Sequence, residues 1–221
     1  MTDALTALIF DCDGVLVDSE YLASRVESEL TRELGLELSI EQAHALFLGQ
    51  TVDGVLDRVA ERTGQRPTSA FAYNWAFATA HAFKRELAAV PFVRAALEEL
   101  RRRGHRMAVA SQSPLARVRF SLEITGLDGF FGAHVYVTSM VPRPKPAPDI
   151  YLHAASALGA PPADCLVIED SPAGAATARE AGFRVIGYAP GETFAAMQGT
   201  GVAVIRSMDD LLGRIAERSG S

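Results

Sequence analysis

Five short runs in the chain are apolar almost without interruption: ALTALIFD (4–11), RMAVAS (106–111), HVYVTS (134–139), DCLVIED (164–170) and RVIGYA (184–189). Each ends on a polar residue and is followed by a helical pattern. A run this short with apolar residues on both of its alternating sides predicts a strand buried on both faces, as in a parallel sheet covered by helices. The alternation of such runs with helices predicts the α/β class. Ser113-Pro114 and Ser171-Pro172 each offer an N-cap followed by proline at the first helical position, and Gly126, Gly159 and Gly182 stand where helices should stop. Further on, VAVIRS and MDDLLGRIAE read as a weaker strand and a last helix, and RSGS as a frayed tail.

One interval breaks the rhythm. Between Val17 and about Val90 no strand pattern is found, while LASRVESELTRELG and VDGVLDRVAERTG repeat at helical spacing. This predicts a helical domain over 17–89 inserted into a sheet domain made of 1–16 and 90–221. The aromatic run FAYNWAFATAHAF (71–83) fits either period, since Phe71, Tyr73, Trp75 and Phe77 alternate like a strand yet also pair four apart. Its alanine content favours a helix, with the aromatics as core of the inserted domain.

Composition closes off several function classes. With 21 basic and 27 acidic residues the net charge is −6, so no global positive field exists to hold nucleic acid or an anionic membrane. No apolar run approaches the roughly 20 residues of a membrane span, and the N-terminus lacks the pattern of a secretion signal. A cytoplasmic protein is expected, and nothing in the sequence demands more than a monomer. Cys12 and Cys165 have no partners at zinc-ligand spacing and read as small buried side chains. The five histidines, His44, His81, His105, His134 and His153, show no ligand spacing either, and none is assigned a catalytic role.

In an open parallel sheet, ligands bind beyond the carboxyl ends of the strands, so the polar residues ending the runs are the ones to examine. They are Asp11 and Asp13, Ser111, then Glu169 and Asp170, with Lys145 on the loop RPKPAPDIY. Two like charges about 4 Å apart repel by about 4 kcal/mol at an effective dielectric near 20, and a divalent cation would remove that cost. Oxygen-only donors point to a hard ion, magnesium, sharing its shell with a substrate phosphate. Ser111 offers a hydroxyl where the chain turns into a helix whose first N–H groups favour an anion. Lys145 offers a compact positive charge. Asp11 and Asp13 fall on one side of an extended backbone with Cys12 on the other, and Gly14 lets the chain turn close to a bound group. One of the two carboxylates can attack phosphorus while the other moves the proton. Any one of these residues alone is commonplace on a protein surface; their joint placement at strand ends is what selects the chemistry.

These residues resemble the haloacid dehalogenase superfamily of phosphatases and phosphomutases, in particular the subgroup around β-phosphoglucomutase with a helical cap after the first motif. DCDGVLVDSE resembles the first motif, VASQS the second, KPAPDIY the third and VIEDSPAG the fourth. The resemblance implies a Rossmann-like three-layer core, an inserted α-helical cap, and a catalytic cycle through an aspartyl-phosphate. It makes Asp11 the nucleophile and Asp13 the general acid and base. It implies magnesium held by the Asp11 carboxylate, the Asp13 backbone carbonyl and the Asp170 carboxylate, with Glu169 joining or supporting that shell. Ser111 and Gln112 would hold the phosphoryl group beside Lys145. The dehalogenases lack the second aspartate, so Asp13 favours phosphoryl transfer.

Two departures favour a phosphatase of a small phosphate ester, such as a sugar phosphate, over the mutase that is the alternative. Ala23 stands where β-phosphoglucomutase has a histidine, and Val52 where its cap loop has an arginine. Glu20, Gly49, Gln50 and Thr51 are the candidates for choosing the substrate, Asp18 is expected to stabilise the turn into the cap, and His81, Lys84 and Arg85 read as solvated. A phosphate-sensing module without turnover and a two-component receiver domain are the competing readings; intact Asp11, Asp13, Lys145 and Asp170 argue against the first and the large helical insertion against the second.

Overall fold

The apolar runs pair edge to edge in one sheet. A computed structural model describes residues 5–47, 50, 52–191 and 193–219 of the chain. Its strands are β1 (Ala7–Phe10), β2 (Arg106–Ser111), β3 (Val135–Val137), β4 (Cys165–Glu169), β5 (Arg184–Tyr188) and β6 (Ala203–Ile205). They lie in the order β3-β2-β1-β4-β5-β6, and every neighbouring pair is parallel. This is the Rossmann-like order in which strand progression reverses between β1 and β4, opening a crevice beyond their carboxyl ends. The register sets Phe10 opposite both Val109 and Ile168, so Asp11 emerges at the same level as the end of β4.

The chain divides into two compact units, residues 18–88 and residues 1–17 with 89–221. The first holds helices α1 (Glu20–Arg32), α2 (Ile40–Phe47), α3 (Val52–Thr63) and α4 (Ser69–Glu86). Val26, Ala43, Phe47, Val55, Val59, Trp75 and Ala82 form its core. The aromatic run is helical, as its alanines favour, but only part of it is core. Trp75 and Phe83 are buried on α4, whereas Tyr73 and Phe77 are 71% and 64% exposed, because residues two apart fall on different sides of a helix. Helix α2 was not legible in the sequence; of its eight residues only Ala43 and Phe47 are buried, too few to write a period.

The second unit carries the sheet with helices α5 (Val93–Arg102), α6 (Leu115–Ile124), α7 (Asp149–Ala157), α8 (Pro172–Glu180), α9 (Phe194–Gly199) and α10 (Leu211–Ser219). On one face, Ala7 and Ile9 of β1 pack with Ile150, Tyr151 and Ala154 of α7 and with Ala175 and Ala178 of α8. On the other, Phe10 meets Phe131 edge-on at 6.0 Å, and Leu8, Leu97, Leu100 and Leu122 are fully buried. That two-sided burial is why β1 and β4 read as unbroken apolar runs. Ser171 caps α8, its hydroxyl accepting from the Gly174 N–H at 3.1 Å, with Pro172 in the first turn. Among the described residues no helix is long and apolar enough to cross a membrane.

Leu97 lies at the centre of α5 with no exposure. Leu97→Ala should lower unfolding stability by about 2–5 kcal/mol through lost burial and a residual cavity, measured by urea denaturation.

Candidate active site

The site begins where β1 ends. The Asp11 N–H donates to the Ile168 carbonyl at 2.9 Å, which extends the β1–β4 ladder by one residue and fixes the Asp11 Cα beside β4. After Asp13 the chain turns back: Gly14, at φ +76°, donates to the Val17 carbonyl, and Leu16 donates to that of Cys12. A side chain at Gly14 would be strained in that left-handed conformation.

Lys145, from the loop after β3, reaches across to both central strands. Its Nζ donates to Asp11 Oδ1 at 2.6 Å and to Glu169 Oε1 at 2.5 Å, with the ammonium side chain 10% exposed. Glu169 is held from every side. Tyr151 Oη donates to Oε1 at 2.6 Å, and the Ser171 N–H and hydroxyl both donate to Oε2 at 3.0 Å. Lys145 also lies 4.9 Å from the centre of the Tyr151 ring.

One ammonium thus serves two buried carboxylates, and they divide it unequally. Burial pushes Glu169 upward, but Lys145, Tyr151 and the Ser171 N–H more than offset it and hold the carboxyl below its ordinary range. Burial raises Asp11 to about 7 against the pull of Lys145, with Glu169 pushing the same way as burial. Lys145 loses by burial and gains more from Asp11 and Glu169, so it stays charged. Burial, with Glu169 beside it, lifts Tyr151 well above the usual phenol range and keeps it a neutral donor.

Asp13 has different partners. Ser113 Oγ donates to Oδ2 at 2.7 Å and Arg117 Nη2 to Oδ1 at 3.1 Å, with both ion-pair side chains about a quarter exposed. Ser111, buried at the end of β2, accepts from the Ser113 N–H at 3.1 Å, and the Gln112 carbonyl accepts from Thr138 Oγ1 at 3.3 Å. Cys12 points into the core, and its thiol is pushed far up by burial and by Asp13 and Asp11, which suits the packing role read for it.

The structure therefore brings Asp11, Lys145 and Glu169 into direct contact and ties Asp13 and Ser111 together through Ser113. Asp170 follows Glu169 on the same strand end and is partly buried. Glu20 opens α1, and Gln50 is exposed after α2; both belong to the helical unit. Gly49 and Thr51 lie outside the described residues. Asp18 is exposed, and its N–H donates to the Ala88 carbonyl at 3.0 Å. Sequence reasoning missed Tyr151, Arg117 and the bonding roles of Ser113 and Ser171. Ser113 precedes α6, whose N-cap is Pro114, so it does not make the N-cap read for it; it and Arg117 of the first turn both reach Asp13.

The residues fit a divalent cation by the chemistry of their donors. Four carboxylates, Asp11, Asp13, Glu169 and Asp170, stand at these strand ends, with Lys145 paired to Asp11 and Glu169 and Arg117 paired to Asp13. All donors are oxygens, and no histidine or thiolate stands among them, as a hard ion prefers. Both Glu169 oxygens are already engaged, which suits it to supporting Lys145 and the Ser171 turn rather than to direct ligation. Among the described residues no group of three or more His, Cys, Asp or Glu side chains is placed to hold a metal ion.

The two carboxylates and the buried lysine thus stand at the switch point of a parallel sheet, where open α/β sheets bind their ligands. Residues 5–182 match the family described as haloacid dehalogenase-like hydrolase, and the chain belongs to that family. It is 32% identical over 184 residues to hexitol phosphatase B of Escherichia coli, covering 82% of both chains. It is 29% identical over 182 residues to 6-phosphogluconate phosphatase of Escherichia coli, covering 82% of this chain and 81% of that one. Over 215 residues it is 31% identical to SUPPRESSOR OF QUENCHING 1 of Arabidopsis thaliana, of which it spans only 20%. Among solved structures, a HAD family hydrolase from Deinococcus radiodurans with bound phosphate and sodium superposes with a TM-score of 0.78 at 33% identity, covering 99% of this chain and 97% of that one.

Gly174 lies against this cluster. A Cβ there would sit 2.5 Å from Glu169 Oε1 and 2.7 Å from Ser171 Oγ, and the Glu169 carboxylate has no slack because four donors hold it. Gly174→Ala should cost about 1–3 kcal/mol of stability and lower kcat together with it, read by thermal unfolding and by steady-state kinetics.

Proposed function

We propose that the chain is a magnesium-dependent phosphatase of small phosphate monoesters, sugar or hexitol phosphates among them, working through an aspartyl-phosphate on Asp11. The observation that carries this reading is Lys145 held between Asp11 and Glu169 at the switch point, with a second carboxylate two residues after Asp11 that has its own donors. The phosphatases among its relatives support the substrate class.

In this reading Lys145 takes Asp11 Oδ1, which orients the carboxylate so that the other oxygen attacks phosphorus. The P–O bond to the ester breaks, and Asp13 gives its proton to the departing oxygen. A water then attacks the aspartyl-phosphate, Asp13 takes the proton it sheds, and the P–O bond to Asp11 breaks to release inorganic phosphate. Ser111 and Lys145, with Gln112, bind the phosphoryl oxygens; Lys145 stays charged throughout because Glu169 and Tyr151 hold it in place. The Asp11 carboxylate, the Asp13 carbonyl and the Asp170 carboxylate would hold magnesium, which supplies charge neutralisation for the phosphoryl oxygens and the acidic cluster.

In the same reading the inserted helical domain, 17–89, is the cap, with Glu20, Gly49, Gln50 and Thr51 the candidates for selecting the substrate. The mutase alternative needs polar groups at two positions where this chain has a buried Ala23 on α1 and Val52 at the start of α3. The two buried free thiols suit a cytoplasmic enzyme, and its partners are small esters.

Phosphate release from a panel of sugar, hexitol and nucleotide monophosphates tests the reading. Release should require magnesium, cease with EDTA, return on adding magnesium, and be abolished in Asp11→Asn. Unchanged turnover in Asp11→Asn would remove that residue as nucleophile. Asp13→Asn should lower kcat by about 10²- to 10⁴-fold on alkyl esters. Conversion of β-glucose 1-phosphate to glucose 6-phosphate faster than phosphate release would establish the mutase instead.

A further inference from the structure

Asp13 is placed by two residues that lie outside the strand ends. Arg117 occupies the first turn of α6, and Ser113 stands just before that helix. Together they contact both oxygens of the Asp13 carboxylate, Ser113 Oγ at Oδ2 and Arg117 Nη2 at Oδ1. The same segment is fastened to β2, since the Ser113 N–H donates to Ser111 Oγ at the strand end. A helix start, the phosphate-binding hydroxyl read for Ser111 and the proton-carrying carboxylate read for Asp13 therefore form one rigid unit within the sheet domain.

We propose that Arg117 and Ser113 are positioning residues that set the orientation of Asp13 for proton transfer to the leaving group. The proposal rests on the reading of Asp13 as the general acid and base. A guanidinium is only a donor, whereas a hydroxyl both donates and accepts. Arg117 therefore keeps Oδ1 as an acceptor, and Ser113 can turn its hydroxyl to suit Oδ2 with or without a proton. The arrangement fixes which carboxylate oxygen faces the reacting ester. In this role Arg117 acts through Asp13 rather than on the phosphoryl group, so its loss should affect turnover and leave ester affinity intact.

The test compares two leaving groups in the full-length, magnesium-supplemented protein. p-Nitrophenyl phosphate expels a stable phenolate that needs no proton, while a sugar or hexitol phosphate turned over by the wild type needs one. Arg117→Met should lower kcat/KM on the sugar or hexitol ester by about 10- to 100-fold and on the aryl ester by no more than about threefold, a loss in kcat with KM unchanged. Arg117→Lys, which keeps a charged donor, should recover most of that loss, and Ser113→Ala should repeat the selective loss more weakly. Thermal midpoints of the variants separate misfolding from misplacement. Equal losses on both esters, a rise in KM with kcat intact, or failure of lysine to restore activity would overturn the proposal. Asp13→Asn separates it from the underlying reading. If Asp13→Asn is impaired and Arg117→Met is not, the positioning role alone falls; if Asp13→Asn keeps full activity on the alkyl ester, the acid–base reading falls and the positioning role with it.

Discussion

The contact on which the site depends is the buried ammonium of Lys145 between Asp11 and Glu169. Taking three charges out of water is expensive, and such a cluster is tolerated only when geometry and further hydrogen bonds compensate. Here the compensation falls almost wholly on Glu169, whose two oxygens take Lys145, the Tyr151 hydroxyl and both donors of Ser171. Asp11 is left with a share of one ammonium and with Glu169 as a like-charged neighbour, which is why its carboxyl is driven up to about 7, by burial first and by Glu169 besides. The cluster is thus better satisfied at Glu169 than at Asp11. Lys145 arrives on a loop, Tyr151 on α7 and Ser171 at the head of α8, so three elements must be in place before Asp11 is. The adjacency of β1 and β4 in the sheet makes that convergence possible.

The strands were legible because burial on both faces leaves a run with no polar interruption. RMAVAS is β2 residue for residue, and the other runs extend past their strands, Asp11 and Asp170 being the polar residues just beyond the carboxyl ends of β1 and β4. The last run, VAVIRS, was weaker for a physical reason: β6 is an edge strand whose Ala203 and Val204 are only partly buried. Helices α2 and α9 have too few buried positions to show a period, with Met197 the buried residue of α9.

Of the site, the residues that end strands could be read, because a polar residue after an apolar run is a local signal. The residues that hold them in place could not. Tyr151 reads as an ordinary core aromatic and is one, packed edge-on against Phe183 at 6.1 Å; only the fold shows that its hydroxyl ends on Glu169. Arg117 reads as one basic residue in LARVRF, and which of its two arginines turns toward Asp13 depends on how α6 lies on the sheet. Arg119 goes the other way, to the Gly132 carbonyl. The helical domain was visible as an interruption in rhythm, yet Tyr73 and Phe77, which alternate with Trp75 in sequence, stay outside its core.

Asp11 and Asp13, two residues apart, come to occupy different environments without any difference in side-chain chemistry. Asp11 is enclosed, paired with a lysine that it must share, and has its backbone locked to β4. Asp13 is a quarter exposed, lies where the chain begins to turn, and has a separate donor on each oxygen. An enclosed carboxylate with incomplete neutralisation suits attack on phosphorus, since a water-excluded site strengthens its interaction with the reacting centre. A partly open carboxylate with a hydroxyl beside it suits the exchange of a proton with a leaving group and then with water. The division follows from chain direction alone: β1 delivers Asp11 into the sheet's crevice, and the turn at Gly14 swings Asp13 toward the head of α6.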